Sequence, residues 1–180
     1  MTTPHIALLR GVNVGRAKRV GMAELKGVAD GLGWGGARTL LNSGNLVFTD
    51  ASSGGHALRL ETALAEQLGL RTRVTIFTAE VWGRVVADNP FGEEAVAQPS
   101  RLLVTLPRSP EMLERLAPLT ATEWAPERLH VGTRAAYSWH PDGLSSGALA
   151  EALDRAGKDG VTGRNWGTVL KLQAAAAALA

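Results

Sequence analysis

Cysteine is missing from the 180-residue sequence. Its absence excludes disulfide bridges, thiolate metal sites and cysteine nucleophiles at once. Histidine is scarce and scattered. Although His140 and Asp142 could ligate a metal together, no H-E-x-x-H helix supports such a site. We therefore expect neither a metal site nor a cofactor.

Long apolar runs are also missing. No run approaches the roughly 20 residues that a membrane helix needs. The N-terminus has no basic segment and leads directly into the short apolar run at residues 6–9, so it does not resemble a signal peptide. We expect a cytoplasmic protein with no membrane partner, either a monomer or a weak dimer.

Charge of one sign is not in large excess, and aromatic residues are few. Lysine and arginine number 19 against 17 acidic residues, which gives a net charge of +2, and aromatics make up 5% of the chain. These values do not indicate a nucleic-acid binder, although a local basic patch could still bind nucleic acid. The hydrophobic fraction of 45% is sufficient for a packed core.

Apolar periodicity divides the first half of the chain into six elements. The pattern predicts strand, helix, strand, strand, helix and strand, in that order, over residues 5–10, 22–32, 37–41, 45–49, 58–68 and 73–78. Asn42, Ser43 and Gly44 form a tight turn between the second and third strands, which makes a hairpin. This β-α-β-β-α-β order is the ferredoxin-like pattern.

The second half repeats much of this order after a connecting helix at residues 79–87, which Asn89 and Pro90 end. Its predicted elements are a strand at 102–106, a helix at 110–116, a hairpin of strands 128–131 and 135–139, a helix at 146–156, and a final helix from 165 to the C-terminus. We therefore expect an α+β protein with two ferredoxin-like subdomains, residues 1–88 and 89–180.

A basic, glycine-rich loop follows the first predicted strand at residues 11–21. Glycine lets backbone N–H groups approach an anion, and Arg10, Asn13 and Lys18 would supply charge and hydrogen bonds. The spacing fits neither G-x-x-x-x-G-K-[ST] nor G-x-G-x-x-G. A flexible exposed turn with solvated bases is the alternative, and both interpretations stay open.

The turn around Ser43 and Asn45 is a second candidate. Asparagine and glycine tolerate positive φ, so a hairpin turn explains this segment well. In the functional interpretation, Ser43 or Asn45 contacts a ligand. A serine nucleophile is not indicated, because G-x-S-x-G is absent and no partner histidine is evident.

The start of the final predicted helix is a third candidate. Asn165 is a natural N-cap, and Arg164 precedes it near the positive end of the helix dipole. An anion would be stabilised there, with Lys171 about two turns further along, and we expect Arg164→Ala to cost little stability. The alternative is a capped structural helix with Trp166 in the core.

These motifs occur in the order found in the bacterial family of unknown function numbered 1697, which the chain resembles over almost its whole length. The matching segments are residues 8–15, 22–25, 43–48, 89–91, 137–143 and 164–166, followed by Thr168 and Lys171. The resemblance implies two α+β subdomains and no assigned activity.

The chain departs from the family pattern at two places. Gly147-Ala148 lies where the family often has Ser-Lys, and Arg16 follows Gly15 where a second glycine is common.

Three classes of function follow. In the first, an anionic, phosphorylated small molecule binds between the subdomains. Its expected contacts are Arg10, Asn13, Lys18, Ser43, Asn45, Arg164, Asn165 and Lys171. The second is a nucleic-acid-binding module, ranked lower because residues 45–48 lack the aromatic-rich pattern of base-stacking sheets. A protein-interaction scaffold is a third possibility. No paired carboxylates or nucleophile–base pair emerges from the spacing, so the reaction and the catalytic residues stay unassigned.

Overall fold

The computed structural model describes residues 2–16, 18–144 and 147–180, and it divides the chain into two units. The first unit ends at Gly83 and also includes Lys171–Ala180, whereas the second is Arg84–Leu170. Sequence analysis placed the division at residues 88 and 89. That boundary stays a prediction. Within the second unit, the carbonyl of Val85 accepts a hydrogen bond from Tyr137 (2.6 Å).

The first unit is a four-stranded antiparallel sheet with two helices. Its elements are β1 (Thr3–Leu9), α1 (Met22–Gly31), β2 (Gly35–Leu40), β3 (Asn45–Asp50), α2 (His56–Leu68) and β4 (Val74–Thr78). The strand order is β2-β3-β1-β4. Ile6 of β1 pairs with Val47 of β3 on one side and Phe77 of β4 on the other. All six predicted elements are present, with ends shifted by one or two residues.

The core of the first unit packs one face of this sheet against both helices. Leu9 and Phe48 from the sheet join Leu25 of α1 and Leu60 of α2 in one cluster. The ring of Trp34 stacks on Phe48, with centroids 3.8 Å apart and planes 8° from parallel. Truncating a buried aromatic residue of this kind typically costs about 3–5 kcal/mol.

The second unit contains another four-stranded antiparallel sheet, with strand order β6-β7-β5-β8. The elements of this part of the chain are α3 (Ala79–Ala87), α4 (Gly92–Ala97), β5 (Leu102–Pro107), α5 (Glu111–Leu116), β6 (Arg128–Val131), β7 (Ala136–Trp139), α6 (Ala148–Gly157), β8 (Val161–Asn165) and α7 (Trp166–Ala177). Helices α3 and α7 each cross the boundary between the units. The core of the second unit includes Leu113 and Leu116 of α5, Ala136 of β7, and Leu149 and Leu153 of α6.

Sequence analysis missed strand β8 and helix α4. The β8 segment, Val161–Asn165, has glycine at its centre and no clear apolar alternation, so its pattern does not indicate a strand. Pairing with β5, more than 50 residues away, makes it one: Val104 opposes Arg164 and Thr105 opposes Gly163. The helix expected at residues 146–156 begins at Ala148, and Ser146 lies outside the described residues.

The α+β class is thus shown, with two separate antiparallel sheets. Among the described residues, no helix has the length and apolar character needed to span a membrane.

Candidate functional site

The loop after β1 is shaped by three residues with left-handed backbones. Gly11, Asn13 and Gly15 have φ angles of +61°, +56° and +54°. Glycine adopts such angles without strain, and asparagine is among the residues that tolerate them best. The Asn13 backbone N–H donates to the carbonyl of Lys18 (2.8 Å), which closes the loop on itself. The expected loop is therefore present, and Asn13 and Lys18 pair through their backbones.

The side chain of Asn13 ties this loop to the β2–β3 turn. Its amide nitrogen donates to the carbonyls of Val20 (2.9 Å) and Asn42 (2.8 Å), and its amide oxygen accepts from the Val20 N–H (3.0 Å). Both amide protons are thus used within the protein. Asn13 thus organises the loop and brings it against the turn, and its expected contact with a ligand stays a prediction.

The turn itself is packed closely against the end of β1. The Leu9 N–H donates to the Gly44 carbonyl (2.8 Å). Gly44 has φ +72°, and a Cβ atom there would lie 2.5 Å from Val12 Cγ2 and 2.8 Å from Leu9 Cβ. Asn45 is fully buried, and its amide donates to the Leu40 carbonyl (2.9 Å) and to Ser43 Oγ (2.8 Å). These contacts give Asn45 a structural role and use Ser43 Oγ as an acceptor.

A third chain segment, residues 71–73, joins the same end of the first sheet. The Arg10 N–H donates to the Arg73 carbonyl (2.9 Å), and Thr72 Oγ1 donates to the Arg10 carbonyl (2.7 Å). The Lys18 ammonium donates to the carbonyl of Arg71. Loop, turn and residues 71–73 therefore meet, although they are far apart in sequence.

This end of the sheet concentrates positive charge. Residues 10–19 and 71–73 contain no acidic residue, and their bases are Arg10, Arg16, Lys18, Arg19, Arg71 and Arg73. Besides Lys18, two of these bases have defined side-chain interactions: Arg19 donates to the Gly15 carbonyl (2.7 Å), and Arg73 lies 3.6 Å from a carboxylate oxygen of Glu61. Sequence reasoning missed Arg71 and Arg73, because only the pairing of β4 with β1 places them beside the loop.

The third candidate segment differs from its expectation at Arg164. This residue lies in β8 and is 8% exposed. Its guanidinium donates to Thr162 Oγ1 (2.9 Å) and to the Gly163 carbonyl (2.8 Å), and burial lowers the arginine pKa to about 10. The expectation that Arg164→Ala costs little stability is inconsistent with this burial, because the substitution would leave the buried hydroxyl of Thr162 without this donor.

The predicted cap of the final helix is confirmed. Asn165 Oδ1 accepts the N–H of Thr168, the third residue of α7 (2.9 Å). Lys171 is exposed and belongs to the first unit, whereas Arg164 and Asn165 belong to the second. The described contacts therefore bring together Arg10, Asn13, Lys18, Ser43 and Asn45, and the anion-binding roles of Arg164, Asn165 and Lys171 stay predictions.

A hydrogen-bond network of three side chains in the second unit was not predicted from the sequence. Ser138 Oγ lies 2.8 Å from His140 Nε2, and His140 Nδ1 lies 2.5 Å from Glu127 Oε1. The other oxygen of Glu127 accepts the Leu149 N–H at the start of α6 (3.1 Å). His140 therefore pairs with Glu127. Within the described residues, no group of three or more His, Cys, Asp and Glu side chains could hold a metal ion.

Gly147 leaves space for this hydrogen-bond network. A Cβ atom at position 147 would collide with Glu127 Oε1 and lie 2.8 Å from His140 Nδ1. The backbone φ of −89° at this position does not itself require glycine. Gly147 is thus explained by the space that the carboxylate and the imidazole occupy.

Comparisons with known proteins cover most of the chain. A family model described as "Protein of unknown function (DUF1697)" matches residues 1–137. A solved structure of the conserved bacterial protein SP0830 from Streptococcus pneumoniae is similar, with a TM-score of 0.81 and 23% sequence identity. The alignment covers 98% of this chain and 99% of the other. No curated protein matches. At this identity the similarity shows the fold alone.

Proposed function

The chain belongs to the DUF1697 family, and because that family has no assigned activity, we propose a function from geometry: the first unit binds an anionic, phosphorylated small molecule. The proposed binding element is the loop at residues 11–21 together with the neighbouring bases at positions 10 and 71. The main support for the proposal is that the loop lies against residues 71–73. Basic side chains therefore lie near the left-handed backbone of the loop.

The backbone of the loop suits an oxyanion. Where left-handed residues alternate with right-handed ones, neighbouring N–H groups can turn toward one point, and such concave nests bind anions. Left-handed φ angles recur here at alternate positions, Gly11, Asn13 and Gly15, although the Asn13 N–H is already used by the Lys18 carbonyl. Gly11 and Gly15 carry no side chain, and a Cβ at either position would have no neighbour within 4 Å, so a ligand could approach the backbone closely. Asn13 would hold this geometry through its three side-chain hydrogen bonds.

The charge of the site comes from exposed side chains. Arg16, Lys18 and Arg71 are exposed, and no acidic residue lies within either basic segment. Arginine matches phosphate geometry with paired N–H donors, and lysine adds a point charge. Because these groups are exposed, binding should weaken as salt concentration rises.

The first sheet supports a small molecule better than a nucleic acid. Phe48, the aromatic residue of the central strands, is buried in the core against Trp34. The opposite face of these strands carries Ile6, Leu8 and Val47, all aliphatic and fully buried. Base stacking needs an exposed aromatic, and the central strands provide none.

The test is a thermal-shift screen of the full chain against nucleotides, sugar phosphates, inorganic phosphate and short RNA. A ligand at about 100 times its Kd stabilises the native state by about 2.7 kcal/mol. The variant Arg16→Gln/Arg71→Gln should lose most of the shift. Arg115→Gln/Arg155→Gln removes the same charge from exposed positions in the second unit and should keep it.

A shift produced only by RNA would support the nucleic-acid alternative instead. No shift from any phosphorylated compound, or equal shifts in the two double variants, would refute the proposed site.

We also propose that each unit has the ferredoxin-like fold. The strand orders β2-β3-β1-β4 and β6-β7-β5-β8 follow one rule, with the first strand of each unit between its third and fourth, and every pairing is antiparallel. An experimental structure in which either order differs would refute this.

A further inference from the structure

Two adjoining cavities in the second unit share one wall. One has a volume of about 420 Å³ and the other about 400 Å³. Both are lined by Glu123, Trp124 and Glu127, from the segment that precedes β6. Phe91 and Arg128 belong to the wall of the first cavity only. The proposed anion site lies in the first unit and uses none of these residues.

The carboxylate of Glu127 is fixed in this shared wall. A carboxylate can only accept hydrogen bonds, so His140 donates from Nδ1 to Oε1, while its Nε2 hydrogen-bonds to the hydroxyl of Ser138. Oε2 accepts the Leu149 N–H. Each oxygen thus uses one protein donor and keeps acceptor capacity on the cavity side, where the side chain is 14% exposed.

Trp124 lines both cavities, as Glu127 does. Its Nε1–H donates to the Leu119 carbonyl (2.7 Å), which fixes the orientation of the half-buried ring. A tryptophan face attracts a cationic nitrogen through its π electrons, and a nearby carboxylate adds a hydrogen-bond acceptor of opposite charge.

The positive charge in this wall is already paired. Arg128 donates to Glu94 Oε1 (2.5 Å), and its guanidinium lies over the ring of Phe91, 5.1 Å from the centroid. An anionic ligand would instead meet the carboxylates of Glu123 and Glu127. The wall therefore favours a cation over an anion.

We propose that these cavities form a binding site for an organic cation, a primary ammonium or a guanidinium group on a short carbon chain. The cationic group hydrogen-bonds to Glu127 and packs on Trp124. His140 is a positioning residue that holds the carboxylate. The site is independent of the proposed anion site, so either proposal can fail without the other.

The test is isothermal titration calorimetry of the full chain with n-butylammonium and n-butylguanidinium, and with n-butanol as the uncharged probe. We expect saturable heat for at least one cation and none for butanol. Trp124→Leu and Glu127→Gln should each weaken binding at least tenfold. Glu114→Gln on α5 removes the same charge at an exposed position outside both cavities and should leave binding unchanged.

Folding of each variant is checked by thermal unfolding, because Glu127 also accepts the Leu149 N–H at the start of α6. If Glu127→Gln does not fold, the binding affinities of Glu123→Gln and Trp124→Leu test the proposal. The proposal is overturned if neither cation gives saturable heat at concentrations on the order of 10 mM, well above a weak Kd of about 1 mM. It is also overturned if folded wall variants bind as the natural chain does.

Discussion

His5 places a titratable ring in the core of the first unit. The residue is 5% exposed, and its ring lies 4.3 Å from the ring of His56 and 5.2 Å from that of Phe48, measured between centroids. Neither ring nitrogen of His5 has a hydrogen-bond partner among the described residues. Burial lowers the pKa of His5, the nearby His56 lowers it further, and Asp50 opposes the change. The neutral ring is therefore the form that the fold accepts.

This arrangement predicts acid sensitivity. Because the folded-state pKa of His5 is depressed, its contribution to stability is complete above the unfolded pKa of about 6.5 and is lost as pH falls through that value toward the folded pKa. Asp50 acts in a separate, lower window: hydrogen bonds from Ser52 and Arg59 lower its pKa, so its contribution is lost only below about pH 4.

The measurement is urea unfolding of the natural chain and of His5→Phe between pH 5 and 8. The free energy of unfolding of the natural chain should fall toward pH 5, and His5→Phe should remove much of that fall. Equal pH dependence in the two proteins would show that His5 is not the responsible group.

At the scale of elements, helix α6 is capped from outside its own segment. Its N-cap residue is Gly147, which has no side chain, and Glu127 from before β6 supplies the acceptor for the Leu149 N–H. A carboxylate at this position also complements the positive end of the helix dipole. The local sequence does not reveal this arrangement, since Glu127 and Leu149 are 22 residues apart.

Gly147→Ala should therefore destabilise the protein. The added Cβ would displace Glu127 from the helix start and crowd His140. Overpacking of this kind costs about 1–3 kcal/mol. Gly27→Ala in α1 is the matched control, because a Cβ there meets nothing within 4 Å, and it should stabilise by up to about 1 kcal/mol. Chemical unfolding of both variants checks the pair; equal effects would contradict the role given to Gly147.

The sequence predicted the elements whose formation depends on local residue pattern. It missed an element whose formation depends on pairing with a distant strand. The helices α1 and α2 and the β2–β3 hairpin follow from apolar periodicity and the Asn42–Gly44 turn. Strand β8 was missed because glycine at its centre hides it until β5 supplies the pairing. Local chemistry also identified the Asn165 cap, which needs only the neighbouring Thr168 N–H.

At the scale of the whole molecule, the candidate anion site is made by strand topology. Strand β1 lies between β3 and β4, so the loop after β1 meets both the β2–β3 turn and the residues that precede β4. Sequence analysis identified Arg10 and Lys18 from the loop itself. It could not identify Arg71, because no local pattern links residue 71 to residue 18. Sequence analysis also identified Asn13, whose amide binds the protein's own carbonyls and whose ligand contact stays a prediction.

The central claim is that this loop binds a phosphate group, and the most direct measurement is an NMR titration of the ¹⁵N-labelled full chain with inorganic phosphate. The account predicts saturable shifts at the backbone amides of residues 11–16, weakened by added salt and largely lost in Arg16→Gln/Arg71→Gln. Shifts that do not saturate, or saturable shifts confined to other parts of the chain, would contradict it.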